Sequence, residues 1–362
     1  MTEHPRDIML NPVARVLWRA PDVVQLELGA HAVLVEGVEA AVVRRLVRSR
    51  QRPGATPDPS TRTGTHTGTA AGTPQGTQEE VSLGALDIDD RSLEALSERG
   101  YLWSGADPVD DPRLRPPAAR LGAELGALSA RHGEKAAALL AARRRAAVAV
   151  HGTGRVAAHL AALLAAAGVG RLHVVDAGDV HLHHAVPGGV SPADEGHRFA
   201  EAVTSAILRA APDADTTPLA IGQRPDLVVL AFDEPIDSDR RAALHARGCT
   251  HLTVRLAADH GAVGPMVIPG LTSCLRCADL HRRDRDPAWP ALAVQLTVPR
   301  PAGPVSDVAL ATTIAGVAAA QILTYLDGGQ PSTIEGTLEL HLPDWRIRRR
   351  TWPLHAECDC TG

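Results

Sequence analysis

The sequence predicts an α/β protein: a Rossmann-like domain with a structural metal lobe, preceded by a small winged-helix-like α+β domain. Three observations carry this. The stretch AAVAVHGTGRVAAHLAALLAAAGVGRLHVVDAGDV reads as apolar strand, glycine turn, apolar helix and second strand, the pattern of a βαβ unit. Four of the five cysteines fall into two close pairs, Cys274-Leu-Arg-Cys277 and Cys358-Asp-Cys360. Short alternating segments near the start, VARVLW, VVQLEL and HAVLVEG, read as three strands with turn signals at Pro21-Asp22 and Gly29.

Along the chain, Glu36 to Arg48 carries apolar residues at helical spacing (Val38, Ala41, Val42, Leu46). Residues 50–80 are a Thr/Gly/Pro tract that cannot bury a core, so the expectation there is a mobile loop. The segment DIDDRSLEALSERGYL predicts a helix with acids at its start, Leu93 and Leu96 facing inward, and Gly100 as its stop. A Pro/Asp/Arg-rich linker covers 106–117, and helical segments follow to Arg145. The run Arg143–Arg145 is expected at a helix C-terminus, where positive charge offsets the macrodipole. After the βαβ unit, PDLVVLAFD reads as a buried parallel strand, and HLTVRLAADHGAVGPMVIPG as a strand pair leading to the first cysteines. ATTIAGVAAAQILTYLDGG is a small-residue helix with a glycine stop, and TLELHLPDWRIRRRTWPLH gives two last strands that deliver Cys358 and Cys360.

A net charge of -5 argues against a general nucleic-acid or anionic-membrane binder. The start, MTEHPRDIMLNPVARV, does not resemble a signal peptide, and the expected location is cytoplasmic. Few cysteines, paired at metal spacing, suit a reducing compartment. Four thiolates make a closed tetrahedral zinc site, so Cys274, Cys277, Cys358 and Cys360 are the candidate ligands of a structural zinc. A CxxC redox couple is the competing reading, and it leaves the second pair unexplained. Cys249 is expected to be a core thiol, so no thiol remains for thioester chemistry.

The turn Gly152-Thr-Gly154 after an apolar strand, with Asp176 ending the next strand, has the form of a dinucleotide turn. Glycines let the backbone approach a phosphate at the helix N-terminus, and the acid meets ribose hydroxyls. His181, His183 and His184 have no acid or cysteine at ligand spacing and are expected in a solvated crossover loop. The charged stretch Asp279–Asp286 reads as a salt-bridged surface loop over the metal lobe, with a partner-contacting loop as the alternative.

In sequence order, the VHGTGRVAAHLAALLAAAGVG turn and helix, HVVDAGDV, VVLAFD, CLRC, the small-residue helix and the last strand pair resemble the ThiF family. These are ubiquitin-activating-enzyme-like adenylyltransferases, and the resemblance covers about residues 118–360. It implies phosphate at Gly152 and Gly154, ribose at Asp176, magnesium at Asp233, MgATP as cosubstrate, and structural zinc on the four cysteines. The chain departs from that family at two places. HLHHAVPGG stands where the family has Asn-Leu-x-Arg-Gln, and the next segment, a helix expected from Asp194, carries His197 and Arg198 instead of a phosphate-binding lysine. The one lysine, Lys135, precedes the glycine turn. Arginine is not an equivalent point contact, so the expectation is a degenerate ATP site.

The N-terminal module resembles a PqqD-like precursor-peptide recognition element. Such modules precede ThiF-type domains in leader-peptide-binding proteins of thiazole/oxazole-modified microcin biosynthesis, which work with a YcaO cyclodehydratase. The implied organisation is 1–105 peptide recognition, 106–117 linker and 118–362 ThiF-like domain. The implied peptide contacts are an edge at His31, Val33 and Val35 and a helix wall at Val38 and Val42, which also fit a core role. Partners follow: a precursor peptide, a YcaO-like or other modifying enzyme and a second copy of the chain. An active adenylyltransferase, with Asp233 and Arg198 as catalytic residues, is the alternative. A winged-helix transcription regulator is disfavoured, because Asp87, Asp89, Asp90, Glu94 and Glu98 would meet phosphate.

Overall fold

The computed structural model describes residues 8–11, 14–28, 31–37, 40, 41, 43, 44, 46, 90–104, 120–175, 178–220, 222–232, 238–296 and 307–360. They fall into two compact units, 1–138 and 139–362. The expected insert at 50–80 and linker at 106–117 lie outside the described residues.

In the first unit, β2 (Arg15–Ala20), β3 (Val23–Leu28) and β4 (His31–Glu36) form an antiparallel sheet with β3 in the middle. One face is closed by alternation: Val24, Leu26, Leu28 and Val35 are buried together with Leu10, Tyr101 and Leu102. Ala40, Val43 and Leu46, three residues apart, join the same core. Leu46 is buried as expected, Ala41 is exposed, and Val38 and Val42 lie outside the described residues. Helix α1 (Asp90–Glu98) turns its half-buried Leu96 to this core. It stops at Gly100, whose φ of +76° suits glycine and whose carbonyl accepts a hydrogen bond from Asn11 Nδ2 at 2.8 Å. β5 (Leu102–Ser104) then returns to pair with β1 (Ile8–Leu10). Helix α2 (Gly122–His132) follows, and helix α3 (Ala136–Arg145) ends on the three arginines.

The second unit is built on a seven-stranded mixed sheet in the order β12-β11-β10-β9-β8-β6-β7. β6 (Ala147–His151), β7 (Arg171–Val175), β8 (Leu227–Ala231) and β9 (His251–Leu256) run parallel. β10 (His260–Val267), β11 (Gly336–His341) and β12 (Arg346–Thr351) extend the sheet antiparallel. Both faces are covered, as the near-continuous apolar strands require. Val148 and Val150 point to a core with α4 (Arg155–Ala166), α5 (Phe199–Ala210) and α9 (Val308–Leu326). Ala149, Val228 and Leu230 point the other way, with Cys249 and, on α6 (Ser238–Ala246), Leu244. Helix α9 is long and apolar enough to cross a membrane by length and composition, yet Leu310, Ile314, Ala318 and Ile322 are core residues of this unit. Its small residues let it pack closely on α4, which is itself Ala-rich, in a chain with few aromatics to fill space.

Three expectations are corrected. The charged stretch from Asp279 is not a loop: α7 (Leu275–Arg285) begins inside the first cysteine pair and carries the charges on its surface, and the short α8 (Trp289–Leu296) follows. The segment from Asp194 is a 3-10 turn (Pro192–Asp194), and α5 starts only at Phe199, so His197 and Arg198 precede it. His184 is not solvated. It is buried with its ring edge-on to Phe199 at 5.4 Å, because the 3-10 turn Leu182–His184 folds it under the loop.

Candidate functional site

The cysteine spacing acts through helix geometry. Cys274 is the residue just before α7, and Cys277 lies one turn in, so both sulfurs sit at the helix N-terminus. After β12 the tail returns over α7 and brings in Cys358 and Cys360. Sγ–Sγ distances are 3.6 Å for Cys274–Cys358, 3.5 Å for Cys277–Cys360 and 4.0 Å for Cys274–Cys277. All four sulfurs lie within 4.8 Å of one another. A disulfide needs ~2.05 Å, and all the cysteines are free. Tetrahedral metal–sulfur bonds of ~2.3 Å separate sulfurs by about 3.8 Å. The cluster can hold a metal, and its donor set fits zinc.

Electrostatics agree. Burial and the neighbouring sulfurs push the Cys360 thiol well up and Cys358 up to about 11. Burial also opposes ionisation of Cys277, but hydrogen bonds from the backbone at His355 and Cys274 and from the Cys358 and Cys360 side chains together hold this thiol below its ordinary value. Four thiolates this close repel one another, and a dication at the centre removes that penalty.

The tail is also held by its own bonds. Ser273 Oγ donates to the Trp352 carbonyl at 2.6 Å, and the buried Trp352 donates through Nε1 to Thr337 Oγ1 at 3.1 Å. Arg276 pairs with Asp359 and Arg283 with Glu357, both at 2.8 Å. His281, Asp284 and His355 form a second group close enough for a metal. Their bonding argues for a latch. His355 Nδ1 accepts from the Glu357 N–H at 3.1 Å, so the ring proton is on Nε2, which donates to Asp284 at 2.7 Å. A neutral ring bonded this way has no lone pair left for an ion.

The glycine turn stands at the C-terminal end of β6, between β7 and β8, where the parallel strands open. Gly152 has φ +131°, and a Cβ there would lie 1.9 Å from the Ala231 carbonyl oxygen. Gly154, at φ +95°, precedes α4, whose N-terminus has no side-chain cap. We expect Gly152→Ala to cost about 2 kcal/mol or more, since the obstacle is β8 backbone and cannot rotate away. Thermal unfolding of the variant checks this, and an unchanged midpoint refutes it.

Asp176 and Asp233, the expected ribose and magnesium acids, lie outside the described residues. Arg198 is described, and its guanidinium pairs with Asp179 at 3.1 Å, both side chains half exposed. Burial, then the positive charge of Arg240, lowers His151 to about 4. Burial, then His183, His181 and Arg155, lowers His184 likewise to about 4. Both rings are neutral at pH 7 and lend no charge to a phosphate. Sequence reasoning did not single out His151, whose signal was only its position directly before the glycine turn. Lys135 belongs to the first unit, so the second unit has no lysine.

In the first unit, β4 is an edge strand among the described residues. Of the expected peptide contacts, His31 is exposed, Val33 half-buried and Val35 buried in the core. Val38 and Val42 lie outside the described residues.

No curated protein matches the chain in sequence. The model of the ThiF family matches residues 133–361, and the chain belongs to that family. Among solved structures it is similar to Escherichia coli MccB with AMPCPP and MccA (TM-score 0.67, 13% identity, covering 98% of this chain and 100% of that one). It is similar also to the microcin C7 biosynthetic enzyme MccB in complex with N-formylated MccA (TM-score 0.64, 13% identity, 98% and 99%). PaaA aligns over 72% of this chain and 91% of its own, with a TM-score of 0.56 and 15% identity. At these identities the likeness shows the fold.

Proposed function

We propose that this ThiF-family chain is a peptide-binding protein. Its first unit, a PqqD-like winged-helix recognition element, captures a precursor (leader) peptide. Its ThiF body presents that peptide to a separate modifying enzyme such as a YcaO cyclodehydratase. The observation that carries the reading is β4. It bonds to β3 on one side and, among the described residues, is an edge on the other, so an extended peptide can add as a further strand. In support, two solved structures of similar fold are of MccB, a microcin C7 biosynthetic enzyme, together with MccA. The four cysteines hold a structural zinc that fastens the tail, and the protein acts as a cytoplasmic homodimer.

The second reading is an adenylyltransferase that uses MgATP to activate a peptide carboxylate. Two observations favour it: the uncapped N-terminus of α4 behind Gly154, and the likeness to MccB with AMPCPP and with ATP. In that reading Gly152 and Gly154 hold phosphate, Asp176 ribose, Asp233 magnesium, and Arg198 offsets the transferred charge. The absence of lysine from the second unit weighs against it, because negative charge on the phosphoryl group must be stabilised as it transfers.

One experiment separates the two. Benzoylphenylalanine placed at Leu34, an exposed β4 position, should crosslink to the peptide that purifies with the full chain. The same preparation should show no measurable MgATP-dependent pyrophosphate exchange. Absence of a crosslink rejects capture at β4. Robust exchange that Asp233→Ala abolishes replaces the presenting role with adenylation.

A further inference from the structure

A hollow of about 680 Å³ opens in the first unit beside the start of β4. It is lined by Leu28, His31 and Ala32 of the sheet, Arg99 and Tyr101 after α1, and Ala130 and Arg131 on α2. The lining holds two guanidinium groups and no carboxylate. Both arginines are exposed residues. Arg131 spends its Nε on the Ala127 carbonyl, at 3.2 Å, and lines the hollow from α2. The nearest acid on β3, Glu27, is engaged by Gln25 Nε2 at 2.6 Å. Burial raises the Tyr101 phenol, so its hydroxyl stays protonated and can donate.

Strand register connects this hollow to the edge of the sheet. His31 pairs with Leu28, and Leu28 is buried on the core side, so His31 belongs to the same side. A strand added outside β4 continues that row. Its residue opposite His31 projects on the side of Leu28 and His31, toward Arg99, Tyr101 and Arg131. The residues on either side of it project to the other face, away from both arginines.

We infer that the captured peptide carries an aspartate or glutamate at the position opposite His31, held by Arg99 and Arg131. This rests on the proposed capture at β4 and adds the chemistry that selects the peptide. Two guanidinium groups converging from separate segments give a carboxylate charge-assisted hydrogen bonds from two directions, which fixes register along an otherwise uniform edge.

The test is a selection from a random twelve-residue peptide library displayed on puromycin-linked RNA, whose blocked C-termini leave side chains as the only peptide carboxylates. The bait is the full chain. Selected peptides should share one acidic position, and replacing that acid by Asn or Gln in a synthetic peptide should weaken binding roughly tenfold or more. The double variant Arg99→Glu, Arg131→Glu, changed only at exposed positions, should select a basic residue at that position instead. Enriched peptides with no shared acid, or the same acid selected by the double variant, overturn the inference while leaving capture intact. A selection that enriches nothing overturns both.

Discussion

Changing Cys360 to Ser is expected to release the C-terminal tail and to lower the thermal midpoint by roughly 10 °C or more. The size follows from what the cluster does. Four sulfurs join the N-terminus of α7 to a tail that begins after the exposed strand β12. β12 is an edge strand with every residue exposed, so the apolar burial that would hold it in place is small. Trp352, the Ser273 bond and the ion pairs of Arg276 and Arg283 remain, but the exposed pairs contribute little in water. A metal bound by the four cysteines would therefore carry most of the fastening. Losing one of four ligands removes several kcal/mol of binding that is coupled to folding, and ~2–4 °C accompanies each kcal/mol in a domain of this size. Purified protein should contain one zinc per chain by elemental analysis, and the variant much less. A metal-free wild-type protein, or a Cys360→Ser protein of unchanged midpoint, rejects the structural-zinc reading.

The four-cysteine cluster was legible in the sequence because its determinants are local. CxxC at a helix start and CxC in a tail each place two sulfurs together, and only the meeting of the pairs depends on the fold. The parallel strands were legible for a similar reason: LVVLA and AVAVH are short, apolar and bounded by turn residues. What failed was decided by tertiary contact. Charge density made Asp279–Asp286 look like a loop, yet Asp279 bonds with Arg241 and Arg282 and the charges sit on a helix surface. The polar run around His184 looked solvated, and that ring is buried against Phe199, fifteen positions on, as well as against its neighbours His181 and His183. The helix after β4 has apolar residues on two adjacent faces, and the pattern alone did not decide that Ala40 and Val43, not Ala41, turn inward.

The second large effect is expected at a residue that sequence reasoning read as a macrodipole charge. Arg143 is 1% exposed, and it meets Asp327, 6% exposed, through two parallel bonds of 2.6 and 2.5 Å. It also donates to the Ala167 carbonyl at 3.4 Å, so one guanidinium joins the end of α3, the end of α4 and the residue after α9. Asp327→Ala should cost about 3–5 kcal/mol, because it takes the bidentate carboxylate away from a buried guanidinium. Removing both charges is a different matter. In the double variant Arg143→Met, Asp327→Leu, the desolvation cost of both ions disappears with their attraction, and apolar groups fill the space. The double variant should therefore be more stable than Asp327→Ala alone. Chemical denaturation of the three proteins decides it. If the single substitution costs under about 1 kcal/mol, the pair behaves as a surface ion pair and its burial counts for nothing. If the double variant is less stable than the single, the bidentate bond itself, not the desolvation of the two ions, sets the balance.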